Sequence, residues 1–537
     1  MSNDKTSMNS APSNIVIGTR GSDLALWQAN FVKNKLKKIG LAAEIKIIKT
    51  QGDKLVNISF DKLEGKGFFT KELEEELLRG TIDLAVHSHK DLPTSNPPGL
   101  VIAAVSERED PAELLLILKD QVDIKQRLPI KSGKTVGTSS SRRKAQLRAL
   151  RPDLEIKDLR GNVQTRIQKL RDKYYHAIMV AKAGVLRLKI DLSEFHVEEL
   201  EPSEFIPAPA QGVLALQIRE KDETLLEKLQ GLNHPEVAEQ ITLERKVLNL
   251  FDGGCHTPLG CYCRKSGSLF QVWTSRANVE NEFPDRLFIQ AESTAGLAEK
   301  IVSKFAPNRK LPKTVFITRF LPENNYFRHA MKKHGIGIDA RSLIKTYPII
   351  HKFDPFILKQ TDWIFFSSKN AIEYFFQLNT ELSENIKLAV FGRSSEDTLR
   401  KMGRAPDFTG ERQGIDITGI AKEFAKLARG TTVLFPRAKD SLRTVQNELS
   451  SGTKVIELPI YETVIEEQVE ESSAEVLIFT SPSNVEAYFS KHLLQPWQRV
   501  ICLGKSTGKK AAEMGASYVL PYSPDEIGLA QAVFGLD

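Results

Sequence analysis

Cysteine is scarce in this 537-residue chain, with four in all. That is too few for a disulfide scaffold, and three of them crowd into Cys255, Cys261 and Cys263, where chemistry is a better account than cross-linking. Reduced thiols are expected. Long apolar runs are also missing. No stretch approaches the roughly 18 apolar residues of a membrane span, and the polar opening from Met1 to Asn14 lacks the core of a secretory signal. A soluble, cytoplasmic protein is the expectation. Charge of one sign is thin: 75 Lys+Arg against 68 Asp+Glu leave +7, too dilute for a nucleic-acid binder unless basic residues cluster. Neither the full Walker pattern Gly-x-x-x-x-Gly-Lys-Ser/Thr nor a Gly-x-Gly-x-x-Gly fingerprint is present to support a nucleotide ligand.

What remains is a globular composition, 41% hydrophobic and 27% charged, and at roughly 150 residues per domain the length implies about three or four domains. An apolar strand from Ile15 to Ile17 runs into Gly18-Thr19-Arg20-Gly21-Ser22, after which Leu24, Ala25, Trp27, Phe31, Val32 and Leu36 recur at helical spacing. The pattern returns at Val136, Gly137-Thr138-Ser139-Ser140-Ser141, Arg142 and Arg143, with a helical run to Leu150. In both places a hydroxyl residue stands where an N-cap belongs and an arginine lies beside the helix start. Such junctions bind anions, because the first helical amides lack partners and the helix dipole is positive there. One α/β unit is used twice.

Beyond residue 305, Ala306-Pro307-Asn308-Arg309-Lys310-Leu311-Pro312 is polar and proline-flanked, a linker. The sequence after it alternates short apolar strands with helical stretches, the rhythm of parallel sheets with ligands at the carboxyl ends of strands.

Asp91 ends an apolar strand two residues before Pro93. It reads either as a turn cap or as a carboxylate exchanging protons with a substrate amine and steadying a cation. Lys90 either holds that carboxylate ionised or points into water. Arg20, Arg142, Arg143, Arg160 and Arg166 lie beside Gly, Ser or Asn in loop-like settings, where guanidinium groups fork onto carboxylates or phosphates. Together they imply a polyanionic ligand larger than one phosphate. Cys255 follows two glycines and precedes His256, so the cluster reads as a zinc site or as a covalent attachment point. Cys261 and Cys263 are expected on opposite faces of a strand, poor for chelation, and no metal is expected.

In the order Thr19-Arg20-Gly21-Ser22, Gly65-Lys66-Gly67 with Phe69, Val86-His87-Ser88 with Lys90-Asp91, Gly137 to Arg143, Leu159-Arg160-Gly161-Asn162 and Gly253-Gly254-Cys255, the first half resembles hydroxymethylbilane synthase, also called porphobilinogen deaminase. The resemblance implies a chain that joins porphobilinogen units with loss of ammonia. It implies a dipyrromethane cofactor on the Cys255 sulfur and a catalytic Asp91. Ser140, Arg142, Arg143, Lys90 and Asp91 would hold the cofactor. Arg20, Ser22, Lys62, Lys66, Phe69, Ser88, Arg160, Arg166, Arg187 and Gln211 would bind substrate. The sequence departs from the family pattern at His89, where Met or Leu is usual, at Ser141 and at Gln217.

The second half is similar to uroporphyrinogen-III synthase in Thr318-Arg319, Phe366-Ser367-Ser368 with Asn370-Ala371, Pro436-Arg437, Leu458-Pro459-Ile460-Tyr461-Glu462-Thr463 and Thr480-Ser481-Pro482 with Asn484. That family closes hydroxymethylbilane with inversion of its last ring. Tyr461 either helps the hydroxyl leave or packs in the linker, and Ser367, Ser368, Thr480, Ser481 and Asn484 are candidate carboxylate donors.

The implied architecture is α/β throughout: a three-domain deaminase with two periplasmic-binding-protein-like lobes and a small α/β third domain, then a two-lobe α/β synthase module. The expected limits are 15–107 plus 205–222, 108–204 and 223–305, the linker 306–312, then 313–348 plus 464–537 and 349–463. The implied function is bifunctional, acting on small-molecule substrates as a monomer without nucleic acid or membrane. Two other readings stand beside it: an active deaminase with a scaffold-only second half, and a non-enzymatic polyanion binder that needs only the arginines.

Overall fold

The computed structural model describes residues 14–49, 70–252, 257–349, 354–378, 381–410, 417–441 and 443–536. Cys255, Lys62, Lys66 and Phe69 lie outside the described residues. Among those described, no helix is long and apolar enough to cross a membrane. The chain divides into two compact units, residues up to Val122 with Ser132–Arg309, and Asp123–Lys131 with Lys310–Asp537. The stretch Asp123–Lys131 thus groups with the second unit, although it falls inside the domain expected at 108–204.

In the first unit, β1 (Ile15–Thr19), β2 (Ala43–Ile47), β3 (Leu84–Ser88), β4 (Leu100–Val105) and β10 (Leu214–Arg219) form a sheet in the order β2-β1-β3-β10-β4. A second sheet runs β7-β6-β8-β5-β9, from β5 (Glu113–Leu118), β6 (Thr135–Gly137), β7 (Glu155–Lys157), β8 (Ala177–Ala181) and β9 (Phe195–Leu200). The two orders are one topology. Each sheet places its own strands second, first and third in parallel, then takes an antiparallel strand that has crossed from the other domain, then its own fourth. The chain therefore crosses twice, from β4 to β5 and from β9 back to β10.

Local chemistry starts the elements. Ser22 accepts from the Ala25 amide and caps the Asp23–Lys38 helix, and that helix buries Ala29, Val32 and Leu36 on Ile15, Ile17, Leu84 and Leu216. In the third domain, Pro235 sits in the first turn of the Pro235–Leu250 helix behind the His234 cap. The helix packs on an antiparallel sheet of β11 (Leu259–Ser266), β12 (Leu269–Arg276) and β13 (Asp285–Ala291). Here one expectation fails: Cys261 and Cys263 share one face of β11, since strand side chains alternate with a period of two. Both are fully buried in the core with Leu243, Val247, Val272 and Leu287, and burial raises both thiols above the usual range.

The second unit contains two sheets. β14 (Thr314–Ile317), β15 (Gly337–Ala340), β22 (Val476–Phe479) and β23 (Arg499–Cys502) are all parallel, in the order β15-β14-β22-β23. The other is β16-β21-β20-β17-β18-β19, from β16 (Ile344–Pro348), β17 (Trp363–Phe366), β18 (Lys387–Val390), β19 (Phe408–Thr409), β20 (Thr432–Ala438) and β21 (Lys454–Ile465). β17 and β22 are buried at every position, as strands covered on both faces must be. β21 pairs in parallel with β20 along its first part and antiparallel with β16 along its last, where Tyr347 faces Glu462.

One buried carboxylate ties the first unit together. Glu244, fully buried on the third-domain helix, accepts two hydrogen bonds from Arg108, at 2.7 and 3.2 Å. It also accepts from the Ala210 and Cys263 amides, both at 2.7 Å. Arg108 lies on the first crossover, Ala210 on the second and Cys263 on β11. The crossovers press on each other closely enough that a Cβ at Gly212, whose φ is +90°, would meet the Glu109 carbonyl oxygen at 2.1 Å. Glu244→Ala strands the Arg108 charge and two amides, so it is expected to cost about 3–5 kcal/mol, read as a lower melting temperature of the first unit.

Candidate active site

The site is assembled where the two crossing strands meet the ends of the first two sheets. β3 ends at Ser88, two residues beyond the apolar run Ile82 to Val86, and a single 3-10 turn, His89–Asp91, follows. The His89 amide donates to the Val213 carbonyl at 2.9 Å, fixing the turn beside the return crossover. The turn has no side-chain cap bond, and Asp91 is exposed with no hydrogen bond or ion pair among the described residues. The capping reading of Asp91 therefore fails, and its carboxylate is available. Lys90 reaches the buried Gln211, donating to its Oε1 at 3.2 Å. Burial lowers the Lys90 pKa; the charges of Asp91 and Glu113 oppose that, and those of Arg143 and Arg142 add to it.

From the second sheet comes the Ser141–Leu150 helix, capped by Ser140, whose Oγ accepts from the Arg143 amide. Arg142 and Arg143 are not loop residues; both are buried in the first turn of this helix. Their guanidinium groups fork onto Glu113, which the sequence reading did not single out. Arg142 donates from Nη2 at 2.7 Å, and Arg143 from Nε at 3.1 Å and Nη2 at 2.6 Å. Burial alone would raise the Glu113 carboxyl, but Arg143, Arg142 and Lys90 outweigh it and hold it down at about 2. The signal was a lone acid heading the apolar run Leu114 to Leu118, because a charge there needs a buried partner.

Arg166 also lies inside a helix, Val163–Arg171, which Asn162 caps. Its Nε donates to the Gly161 carbonyl at 2.8 Å. Burial pushes its pKa down to about 10, with the charges of Arg143 and Arg160 adding to the shift and Asp91 opposing it. Lys90, Arg142, Arg143, Arg160 and Arg166 thus share one electrostatic neighbourhood with Asp91 and Glu113 as counter-charges. Arg187 stands apart from that set. It donates to the Gly212 carbonyl at 2.6 Å, lies over the Trp27 ring and is pushed down to about 10 by burial, with Glu109 opposing. Ser88 accepts from Gln28 at 2.9 Å, and Arg20 and Ser22 follow β1 at the start of the first helix.

In the second unit the candidates fall into two groups that no hydrogen bond among the described residues joins. Ser368 caps the Lys369–Gln377 helix and lies 3.1 Å from the Tyr461 hydroxyl. Tyr461 is 7% exposed and its ring stacks on Tyr374. Ser367 is exposed beside it. On the other sheet, Thr480 pairs with Thr318, and Ser481 caps the Pro482–Phe489 helix. Asn484 is buried; its Oδ1 accepts from the Leu343 amide and its Nδ2 donates to Ser481. Lys369, in the first turn of the helix that Ser368 caps, has its pKa lowered by burial and the charge of Arg319.

Two histidines next to Asp91 carry a pH dependence. His87 is hydrogen-bonded to Gln217, and burial depresses it to about 4; burial with the charges of Arg245 and His87 brings His89 to about 3. Both values lie below the unfolded one, so the stabilising neutral form is fully present above pH 6.5 and is lost as pH falls. Between pH 6.5 and 5 each histidine is expected to cost about 2 kcal/mol, measured by melting across that range, and His89→Leu should flatten the dependence.

Residues 15–227 match the family model described as porphobilinogen deaminase, dipyromethane cofactor binding domain, and residues 326–531 match that of uroporphyrinogen-III synthase HemD. A porphobilinogen deaminase of Fusobacterium nucleatum is 45% identical over 258 residues, 47% of this chain and 84% of that protein. One from Geobacter metallireducens is 42% identical over 275 residues, 50% of this chain and 83% of that protein. A uroporphyrinogen-III synthetase structure from Helicobacter pylori aligns with 17% identity over 41% of this chain and 98% of that one, at a TM-score of 0.31, a likeness from which nothing is transferred.

Proposed function

The chain belongs to the porphobilinogen deaminase family and carries a uroporphyrinogen-III synthase domain behind it, and from that premise we propose how this bifunctional tetrapyrrole-biosynthesis enzyme works. The first half polymerises four porphobilinogen to hydroxymethylbilane with release of ammonia. The second closes the product with inversion of ring D to uroporphyrinogen III. The observation that carries the deaminase mechanism is Asp91, an exposed carboxylate without a hydrogen bond among the described residues, set among cations that outnumber carboxylates.

Each porphobilinogen brings an acetate and a propionate, which suits that excess of guanidinium and ammonium groups. As the C–N bond of porphobilinogen breaks, Asp91 gives a proton to the leaving ammonia. The ionised carboxylate offsets the positive charge on the pyrrole while the free α-carbon of the growing chain attacks. It then takes up the α-proton that this carbon loses, which readies Asp91 for the next unit. Lys90 and Arg166 stand within electrostatic reach of that carboxylate. Arg20, Ser22, Ser88, Arg160, Arg166, Arg187 and Gln211, with Lys62, Lys66 and Phe69, take the substrate's carboxylates and ring.

The donor set also fits a dipyrromethane with four carboxylates: Ser140, Lys90 and the remaining N–H groups of Arg142 and Arg143 would hold it, with Cys255 as the thioether anchor. Bound there, dipyrromethane supplies the free pyrrole α-position from which the chain grows. Glu113 keeps both arginines oriented. In the second half, Ser367, Ser368, Thr480 and Ser481 are carboxylate donors, and Asn484 supports Ser481 without touching substrate. The same reading has the chain working as a cytoplasmic monomer.

Asp91→Asn keeps the shape and removes the charge. It is expected to cost at least about 10²-fold in porphobilinogen consumption with an unchanged melting temperature, while Cys255→Ala should fold yet lack the dipyrromethane increment in intact mass. A normal rate in the first variant, or a retained increment in the second, sinks the corresponding assignment.

For the second half, hydroxymethylbilane closes spontaneously without inversion when nothing intercepts it. The full chain is expected to yield mainly the type III isomer, and a chain ending at Lys310 to consume porphobilinogen similarly but yield type I. Tyr461→Phe should leave the isomer ratio unchanged if the ring only packs. Mainly type I product from the full chain would mean that the second half is a scaffold.

A further inference from the structure

The Ser141–Leu150 helix is gripped on two opposite faces. Arg142, Arg143 and Gln146 turn inward, to Glu113 and to the Ile206 carbonyl on the return crossover. Ser141, Lys144 and Arg148, spaced three and four residues apart and so on one stripe of the helix, all turn to a single residue of the third domain. Glu280, in the loop joining β12 to β13, accepts from the Ser141 hydroxyl at 3.3 Å and from the Lys144 ammonium at 3.0 Å, and its backbone carbonyl accepts from Arg148 at 2.7 Å.

We propose that Glu280 is a positioning residue of the deaminase site, a latch that holds the arginine-bearing helix of the second domain in register with the third domain. The inference rests on the functional reading above, in which the third domain anchors the cofactor through Cys255 and the helix grips its carboxylates through Arg142 and Arg143. If the two domains shift relative to each other, anchor and grip shift too, and a misplacement of about 1 Å in such a site costs up to roughly 10²-fold in rate.

The latch does not belong to the packing that folds either domain. Glu280 is half-exposed on a loop beside the exposed Val279, whereas the third-domain core is Leu243, Val247, Leu259 and Leu287. Lys144 is buried on its helix and also pairs with Asp158 at 2.9 Å. Burial works against its ammonium, but the bonds to Asp158 and Glu280 outweigh that and raise its pKa. A partly exposed ion pair adds little to folding, so its loss leaves the protein intact while loosening the register.

The test uses the full chain carrying Glu280→Gln, Glu280→Asp, Lys144→Met, or Glu280→Gln with Lys144→Met. Porphobilinogen turnover and thermal melting are measured for each, with intact mass of the pyrrole-bearing enzyme after less than four equivalents of substrate. Glu280→Gln should lower kcat about five- to tenfold with KM within about twofold, the pattern of a lost transition-state arrangement, and should shift the enzyme toward partly extended chains. Its melting temperature should stay within about 2 °C of the unsubstituted chain, in keeping with the small effect of such surface changes. Glu280→Asp should recover most of the rate, and the double variant should be no slower than Glu280→Gln alone. Unsubstituted kcat and mass distribution in Glu280→Gln would overturn the latch, as would a rate loss that follows the melting temperature or multiplies in the double variant. Absence of any pyrrole ladder in the unsubstituted enzyme would instead refute the functional reading beneath it.

Discussion

The first unit depends on a carboxylate that has left water entirely. Glu244 gives up hydration that costs several kcal/mol and recovers it only because its two oxygens accept four hydrogen bonds. Those bonds come from three separate stretches of chain: one amide from β11, Arg108 from the outgoing crossover and one amide from the return crossover. No apolar contact specifies geometry so narrowly, since apolar attraction has no direction. The exchange of strands between the first two sheets could be accomplished in many relative orientations. Fixing both crossovers to one point on a third domain selects one, and Gln211, next to Ala210, is thereby delivered to Lys90.

The same principle shapes the site itself. A group of five cations in one low-dielectric neighbourhood would repel itself apart, and Glu113 makes their coexistence possible by binding the two most buried of them in a fork. What the ligand then meets is a partly neutralised surface. Arg142 and Arg143 are oriented before any anion arrives, so little reorganisation accompanies binding. Asp91 is treated differently. It stands at the end of a short turn whose backbone is held by Val213 and Arg245, and its carboxylate makes no hydrogen bond among the described residues.

Much of this was legible in the sequence because it is local. Ser22 and Ser140 stand just before helical spacing and each caps its helix, and Asn162, Ser368 and Ser481, which the sequence offers only through motif matches, do the same. The repeated Gly-Thr junction announced two similar domains, and the shared strand order follows from it. Glu113, Glu244 and Glu280 were not legible, for a common reason: each finds its main partners about 30 to 140 residues away, a distance no periodicity encodes. Turn formers beside the five arginines suggest loops, which holds for Arg20 and Arg160, whereas Arg142, Arg143 and Arg166 occupy first helical turns. The error over Cys261 and Cys263 was of another kind, a misplaced strand alternation, and their common face is an ordinary apolar core.

The second half shows why some sites leave weak motifs. Its strands end in short hydroxyl-rich loops, and the side chains there are already engaged with their own backbone: Ser368 with the Ala371 amide, Ser481 with Asn484, Thr480 with the Thr318 carbonyl. A ligand at such strand ends meets main-chain amides and capping hydroxyls more than dedicated side chains. Any residue able to cap serves equally well there, so sequence constrains such a site loosely while the backbone constrains it tightly. Tyr461 fits the pattern, since its hydroxyl is already paired with a capping serine and its ring with Tyr374. Closing a flexible chain in one of two ways is chiefly a matter of which conformer is held, and a cage of backbone and caps can hold one without any residue acting as acid or base.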